Sequence, residues 1–70
     1  MLKITLRAAR VNKGYKQREV AKMLGISKES LSNYERGKTF PDVNLVKKIE
    51  KIYDVNYDDI IFLPSNTLKA

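Results

Sequence analysis

The sequence predicts a small all-α domain of five helices, organised around a steep two-helix corner between residues 17 and 36. Three observations carry that prediction. Gln17 to Arg36 reads QREVAKMLGISKESLSNYER, with a small Ala21, a glycine at 25 and inward-facing Leu31 and Tyr34 beyond it. Apolar residues recur at three- and four-residue spacing on either side of this stretch. Residues that start and stop helices bracket each segment: Thr5, Ser27, Asp42 and Asn56 as caps, and Gly14, Gly25, Gly37 and Pro64 as stops.

In chain order, Met1 to Thr5 alternates apolar and polar residues, which suits an N-terminal arm or a short strand. The first helix is expected over Leu6 to Asn12, with Leu6 and Ala9, and Tyr15 just beyond, pointing to the core. Gly14 stops it, after a Lys13 placed where positive charge suits the helix dipole. The second helix should run from Gln17 to Leu24. Ala21 must be small there because the next helix crosses its backbone, and Gly25 supplies the positive φ that ends the helix. Ser27 then caps a third helix over Lys28 to Glu35, its hydroxyl accepting from a backbone amide a few residues on. Val20, Leu24, Ile26, Leu31 and Tyr34 seal the corner, so the pair forms a helix-turn-helix.

Beyond the loop Gly37 to Pro41, Asp42 caps a fourth helix, with Val43, Val46, Ile49 and Tyr53 as its inward stripe and Leu45 and Ile52 widening it. Asn56 should cap a short fifth helix carrying Tyr57, Ile60 and Ile61 inward and ending near Leu63, before Pro64. The domain therefore spans residues 6–63, and residues 64–70 form a tail.

Composition narrows the function. The chain has 70 residues, enough for one small domain, and a net charge of +6. Residues 1–40 hold ten basic and three acidic side chains, whereas 41–70 hold four and five. One half is strongly cationic and the other nearly neutral, which points to a polyanionic partner such as nucleic acid. Cysteine and histidine are absent, so disulfides, thiolate metal sites and histidine acid–base chemistry are excluded. The longest apolar run is Ile60-Ile61-Phe62-Leu63, far short of a membrane span or signal-peptide core, so a cytoplasmic location is expected. Adjacent Asp58 and Asp59 would point about 100° apart on a helix and cannot converge as an acid–base pair. The three glycines do not form a phosphate-cradling loop. Catalysis is rejected, and no cofactor, metal or small-molecule ligand is expected.

The corner with Gln17 opening it and Asn33-Tyr34-Glu35-Arg36-Gly37-Lys38 closing it resembles the lambda-repressor-like (Cro and phage-repressor) helix-turn-helix family. The resemblance runs from about Leu6 to Ile61. It implies five helices, with the third inserted into the DNA major groove. It also implies that Gln17 contacts the DNA backbone and braces the recognition helix, and that Arg10 pairs with Glu35 to lock the first helix to the third.

The helical period places Lys28, Glu29, Ser32, Asn33 and Arg36 on the outward face of the third helix, flanked by Ser27 and Ser30. Lys28, Glu29, Ser32 and Asn33 are the candidates for reading bases. Asn33 can bond adenine N6 and N7 together, Lys28 can donate to guanine or a phosphate, and Glu29 can accept from cytosine N4. Glu29 serves equally well as a first-turn acid favoured by the dipole. Lys16, Gln17, Arg18, Ser27, Ser30, Arg36, Lys38 and Thr39 are the candidates for phosphate contact, which fixes register without reading sequence. Lys13 and Lys22 are solvated surface.

The leading reading is a sequence-specific double-stranded DNA-binding transcriptional regulator, repressing by promoter occlusion. A palindromic operator read by a homodimer is expected, with Ile60, Ile61, Phe62 and Leu63 as the dimer surface. In the alternative for that run, the domain buries it alone, pairing it with Leu2 to Ile4 as a small ribbon. The competing function is an antitoxin-like or adaptor module whose main ligand is a protein.

Overall fold

The computed structural model describes residues 3–62. Four α-helices surround a single core: α1 (Leu6–Asn12), α2 (Gln17–Leu24), α3 (Lys28–Arg36) and α4 (Val43–Tyr53). A one-turn 3-10 helix (Tyr57–Asp59) follows, and two short strands, β1 (Ile4–Thr5) and β2 (Ile60–Ile61), pair with each other. Leu6, Ala9, Val20, Ala21, Leu24, Leu31, Ile49, Tyr53 and Ile60 form the buried core, with Tyr15, Ile26, Tyr34, Leu45, Ile52 and Phe62 packed against it.

The helix boundaries follow from local chemistry. Thr5 Oγ1 accepts from Ala8 N at 3.1 Å, Ser27 Oγ from Ser30 N at 3.0 Å and Asp42 Oδ1 from Leu45 N at 2.9 Å. Each side chain satisfies one of the amides that a helix N-terminus leaves without a partner. At α2 the cap works the other way: Glu19 Oε1 accepts from the backbone N–H of Lys16 at 2.8 Å. Gly25 ends α2 at φ 74° and ψ 31°, the left-handed conformation, and Ile26 N donates back to Ala21 O at 3.0 Å. A Cβ at Gly25 would meet nothing within 4 Å, so the demand for glycine there is conformational, not steric. The third helix runs one residue further than its sequence pattern indicated, to Arg36.

Two expectations need correction. The fifth helix is not formed. Ile60 has φ −92° and ψ 131°, and β2 pairs in parallel with β1 in the register Ile4 to Ile60 and Thr5 to Ile61. A helix of one or two turns has little stability of its own, and β-branched Ile60 and Ile61 favour extended backbone once a partner strand is at hand. Asn56 makes no side-chain cap; Glu50 Oε2 instead accepts from Tyr57 N at 2.6 Å and ties the 3-10 turn to α4. Lys3 Nζ donates to Asp58 O at 2.6 Å and joins the two ends of the fold.

The second correction concerns α4. Val43 is 70% exposed and is not part of the inward stripe. Ile49 and Tyr53 are buried as expected and Leu45 and Ile52 pack beside them, while Val43 and Val46 line an apolar groove. The apolar face of α4 is wider than the surface it can bury, and the packing of α4 against the rest of the domain selects the Leu45–Ile52 side of it.

The same strand pairing decides the fate of the Ile60–Leu63 run. Ile60 is buried inside its own domain at 7% exposure, while Ile61 is 40% exposed, the alternation expected of a strand. Phe62 turns back onto Tyr57 and Phe40, at ring-centroid distances of 5.5 and 6.2 Å. Leu63 and the 64–70 tail lie outside the described residues, as does Leu2.

Candidate nucleic-acid interface

The corner between α2 and α3 is seated by Val20, Ala21, Leu24 and Leu31, of which Val20 and Leu31 have no exposed surface. With Leu31 held inward, helical geometry sends the residues around it outward. Lys28, Glu29 and Arg36 are exposed, and Ser32 and Asn33 are half-buried on the same side of the helix. The side chains proposed to read bases therefore form one row along α3. Ser27 is exposed and Ser30 half-buried. Their hydroxyls bond each other at 3.0 Å, in addition to the cap, so both are partly committed within the protein.

Below this row an ion pair fastens the helix. Arg10 Nε donates to Glu35 Oε2 at 2.7 Å and Arg10 Nη2 to Glu35 Oε1 at 3.3 Å, a two-pronged pair. Arg10 Nη1 donates to Tyr15 O at 2.9 Å, and Gln17 Nε2 donates to Glu35 Oε1 at 2.9 Å. One carboxylate thus joins α1, the start of α2 and the end of α3. Its side chain is 3% exposed and that of Arg10 11%. The hydrogen bond to Glu35 raises the Arg10 pKa against the opposing effect of burial, so the guanidinium stays charged. The nearby Tyr53 hydroxyl is buried without a hydrogen-bond partner among the described residues. Burial pushes its pKa well above the ordinary phenol range, with the charge of Glu35 adding to the rise and that of Arg10 reducing it.

Beside the row on α3 lies an open depression of about 490 Å³ lined by Arg7, Arg10, Lys16, Gln17, Ser32, Glu35 and Arg36. Arg10 and Glu35 neutralise each other, which leaves Arg7, Lys16 and Arg36 as three cations around it with no ion-pair partner among the described residues. The structure brings together Lys16, Gln17, Ser32 and Arg36 here. Arg18, Lys38 and Thr39 are exposed but line none of this depression. Arg7 was missed by sequence reasoning. The signal was available: Arg7 stands three residues before Arg10 and so shares its helical face.

Arg36 also makes a contact that the sequence pattern did not indicate: its Nη2 donates to Asn33 Oδ1 at 2.9 Å, one turn back on α3.

A second, apolar groove of about 470 Å³ lies elsewhere, lined by Phe40, Pro41, Val43, Val46, Lys47, Glu50, Tyr57 and Phe62. Its two charged side chains are of opposite sign. Phe40, Val43 and Tyr57 are 59%, 70% and 54% exposed, an unusual gathering of large apolar groups on so small a domain. No helix among the described residues is long and apolar enough to cross a membrane.

Comparison with known proteins gives a consistent picture. Residues 6–60 match the family described as Helix-turn-helix. The chain is 39% identical over 56 residues to the HTH-type transcriptional regulator ImmR of Bacillus subtilis, covering 80% of this chain and 44% of that protein. It is 36% identical over 56 residues to the SPbeta prophage-derived uncharacterized HTH-type transcriptional regulator YonR of the same organism, covering 80% and 52%. An uncharacterized HTH-type transcriptional regulator of Archaeoglobus fulgidus is 27% identical over 67 residues, 96% of each chain. The chain spans about half the length of the two Bacillus relatives.

Proposed function

From the premise that this chain belongs to the lambda-repressor-like helix-turn-helix family, a class of DNA-binding proteins and not enzymes, we propose that it is a sequence-specific transcriptional regulator. The names of its relatives support regulation of transcription. In this reading α3 enters the major groove of duplex DNA, and the protein represses by occupying a promoter and excluding polymerase. The observation that carries it is the row Lys28, Glu29, Ser32 and Asn33 on one side of α3, standing beside a depression ringed by Arg7, Lys16 and Arg36. Short polar side chains let a helix approach base edges closely, and neighbouring cations hold the phosphates on either side.

Asn33 is the side chain with the most discriminating chemistry, since its amide can donate to N7 and accept from N6 of adenine at once. Replacing Asn33 by alanine should cost about 1–3 kcal/mol on the preferred site while leaving binding to random duplex nearly unchanged. Titration of both duplexes at one fixed salt concentration decides it. Equal losses on the two would remove Asn33 from base readout.

One recognition helix reads too few base pairs to locate a site in a genome, so two copies on a palindromic operator are proposed, with half-sites about one helical turn apart. The apolar groove supports this arrangement better than the Ile60–Leu63 run, because Ile60 is spent on the domain's own core. In this reading Phe40, Val43, Tyr57 and Phe62 of one copy meet the same residues of another across a two-fold axis. Val43→Asp tests it cleanly, since Val43 already faces solvent and an acid in the first turn of α4 suits the helix dipole. Sedimentation should show a dimer that becomes monomeric on this substitution; a wild-type monomer bound one copy per operator defeats the idea. The same groove would serve an adaptor whose main ligand is a different protein. That reading predicts no salt-sensitive duplex binding at physiological ionic strength.

A further inference from the structure

The contact between Arg36 and Asn33 assigns the arginine a task beyond phosphate attraction. We propose that Arg36 is a specificity-determining residue: it holds the Asn33 amide in one orientation and couples that orientation to the seating of a DNA phosphate. The inference rests on the reading of α3 as the recognition helix.

A side-chain amide presents two chemically different edges. Asn33 has an oxygen that only accepts and a nitrogen that only donates, and a half-turn about χ2 exchanges them. Adenine requires one order of the two, acceptor toward N6 and donor toward N7; guanine presents acceptors at both O6 and N7. An amide free to flip discriminates poorly between them. Arg36 Nη2 donates to Asn33 Oδ1 at 2.9 Å. The flipped amide would set its own N–H groups against that donor, so the bond selects one orientation. The carbonyl oxygen keeps a second lone pair for adenine N6–H, and both hydrogens of Nδ2 remain to donate.

The rest of the guanidinium is not idle. Arg36 lines the depression that Arg7 and Lys16 also border, and a guanidinium carries five N–H donors in a planar fork. A single arginine can therefore hold a phosphate oxygen with one edge and Asn33 Oδ1 with another. Docking of the backbone then immobilises Arg36, and Arg36 immobilises the amide that meets the base. A lysine has the charge but no fork, and its single nitrogen cannot keep both partners in fixed geometry.

Selection of bound duplexes from a random pool, run on the wild type, Asn33→Ala, Arg36→Lys and Arg36→Ala, tests this. Asn33→Ala identifies the base pair it reads as the position that loses its preference. Arg36→Lys should cut the preference for adenine at that same base pair roughly tenfold, a bidentate contact's share of discrimination, and spare the other positions. Its affinity for random duplex should fall by less than that of Arg36→Ala, since the charge on the phosphate is kept. Arg36→Ala should show the same loss of preference with weaker binding to every duplex. If Arg36→Lys leaves that base pair's preference intact, or weakens all positions alike, Arg36 is only a phosphate contact and the inference falls while the recognition reading stands. If the wild type enriches no motif, or Asn33→Ala changes no position, the recognition reading fails and the inference with it.

Discussion

Replacing Glu35 by alanine is expected to destabilise the domain by about 3–5 kcal/mol, enough to unfold much of it at room temperature. The size of that effect comes from what is left behind. Glu35 receives hydrogen bonds from Arg10 Nε and Nη2 and from Gln17 Nε2, and its side chain is only 3% exposed. Without it the Arg10 guanidinium, only 11% exposed in the intact pair, stays charged and loses two hydrogen bonds. A surface ion pair would be worth about 0–1 kcal/mol, and the burial of this pair places it in the other class. A single core of this size supplies about 3–5 kcal/mol in total, so one broken pair can consume the whole margin. Urea denaturation measures the loss, and raising the salt should change the difference between wild type and Glu35→Ala little, because the pair is shielded from ions. The double substitution Arg10→Met with Glu35→Leu should recover most of the stability, since no charge is then left buried. A loss below about 1 kcal/mol on Glu35→Ala would show that Arg10 finds water or another partner.

Leu31→Ala should cost about 2–5 kcal/mol, the range for a leucine truncated inside a core. Leu31 has no exposed surface and lies where α3 crosses α2, so its removal opens a cavity under α3 itself. The consequence for DNA binding is indirect. The polar row on α3 keeps its chemistry, but the fraction of molecules that present it falls with the folded population. A duplex that binds only the folded state counters this by mass action, adding about 4 kcal/mol at a thousandfold excess over its Kd. Thermal melts of Leu31→Ala should therefore show a large drop in Tm alone and substantial recovery with saturating duplex. A variant that is fully folded yet fails to bind would mean that the cavity shifts α3 without unfolding it.

The sequence by itself determined whatever depends on neighbours a few residues apart. Caps at Thr5, Ser27 and Asp42, the left-handed stop at Gly25 and the amphipathic period of α1 to α3 are set by local hydrogen bonding and backbone sterics, and all are found in place. The order of side chains along α3 also follows from its period once Leu31 is inward. The tertiary structure decided the rest, because it rests on which distant surface is available. Val43 and Leu45 were both expected inward by spacing, and the packing of α4 kept Leu45 and left Val43 in solvent. Ile60 and Ile61 fit a helix turn by spacing, yet Ile4 and Thr5 offered a strand edge and made them extended. Arg7 became part of the cationic depression only when α1 was laid beside the start of α2 and the end of α3. Glu35, one acid among eight in the sequence, became the joint of three helices because burial leaves a carboxylate no solvent to bond and Arg10 and Gln17 supply the donors instead.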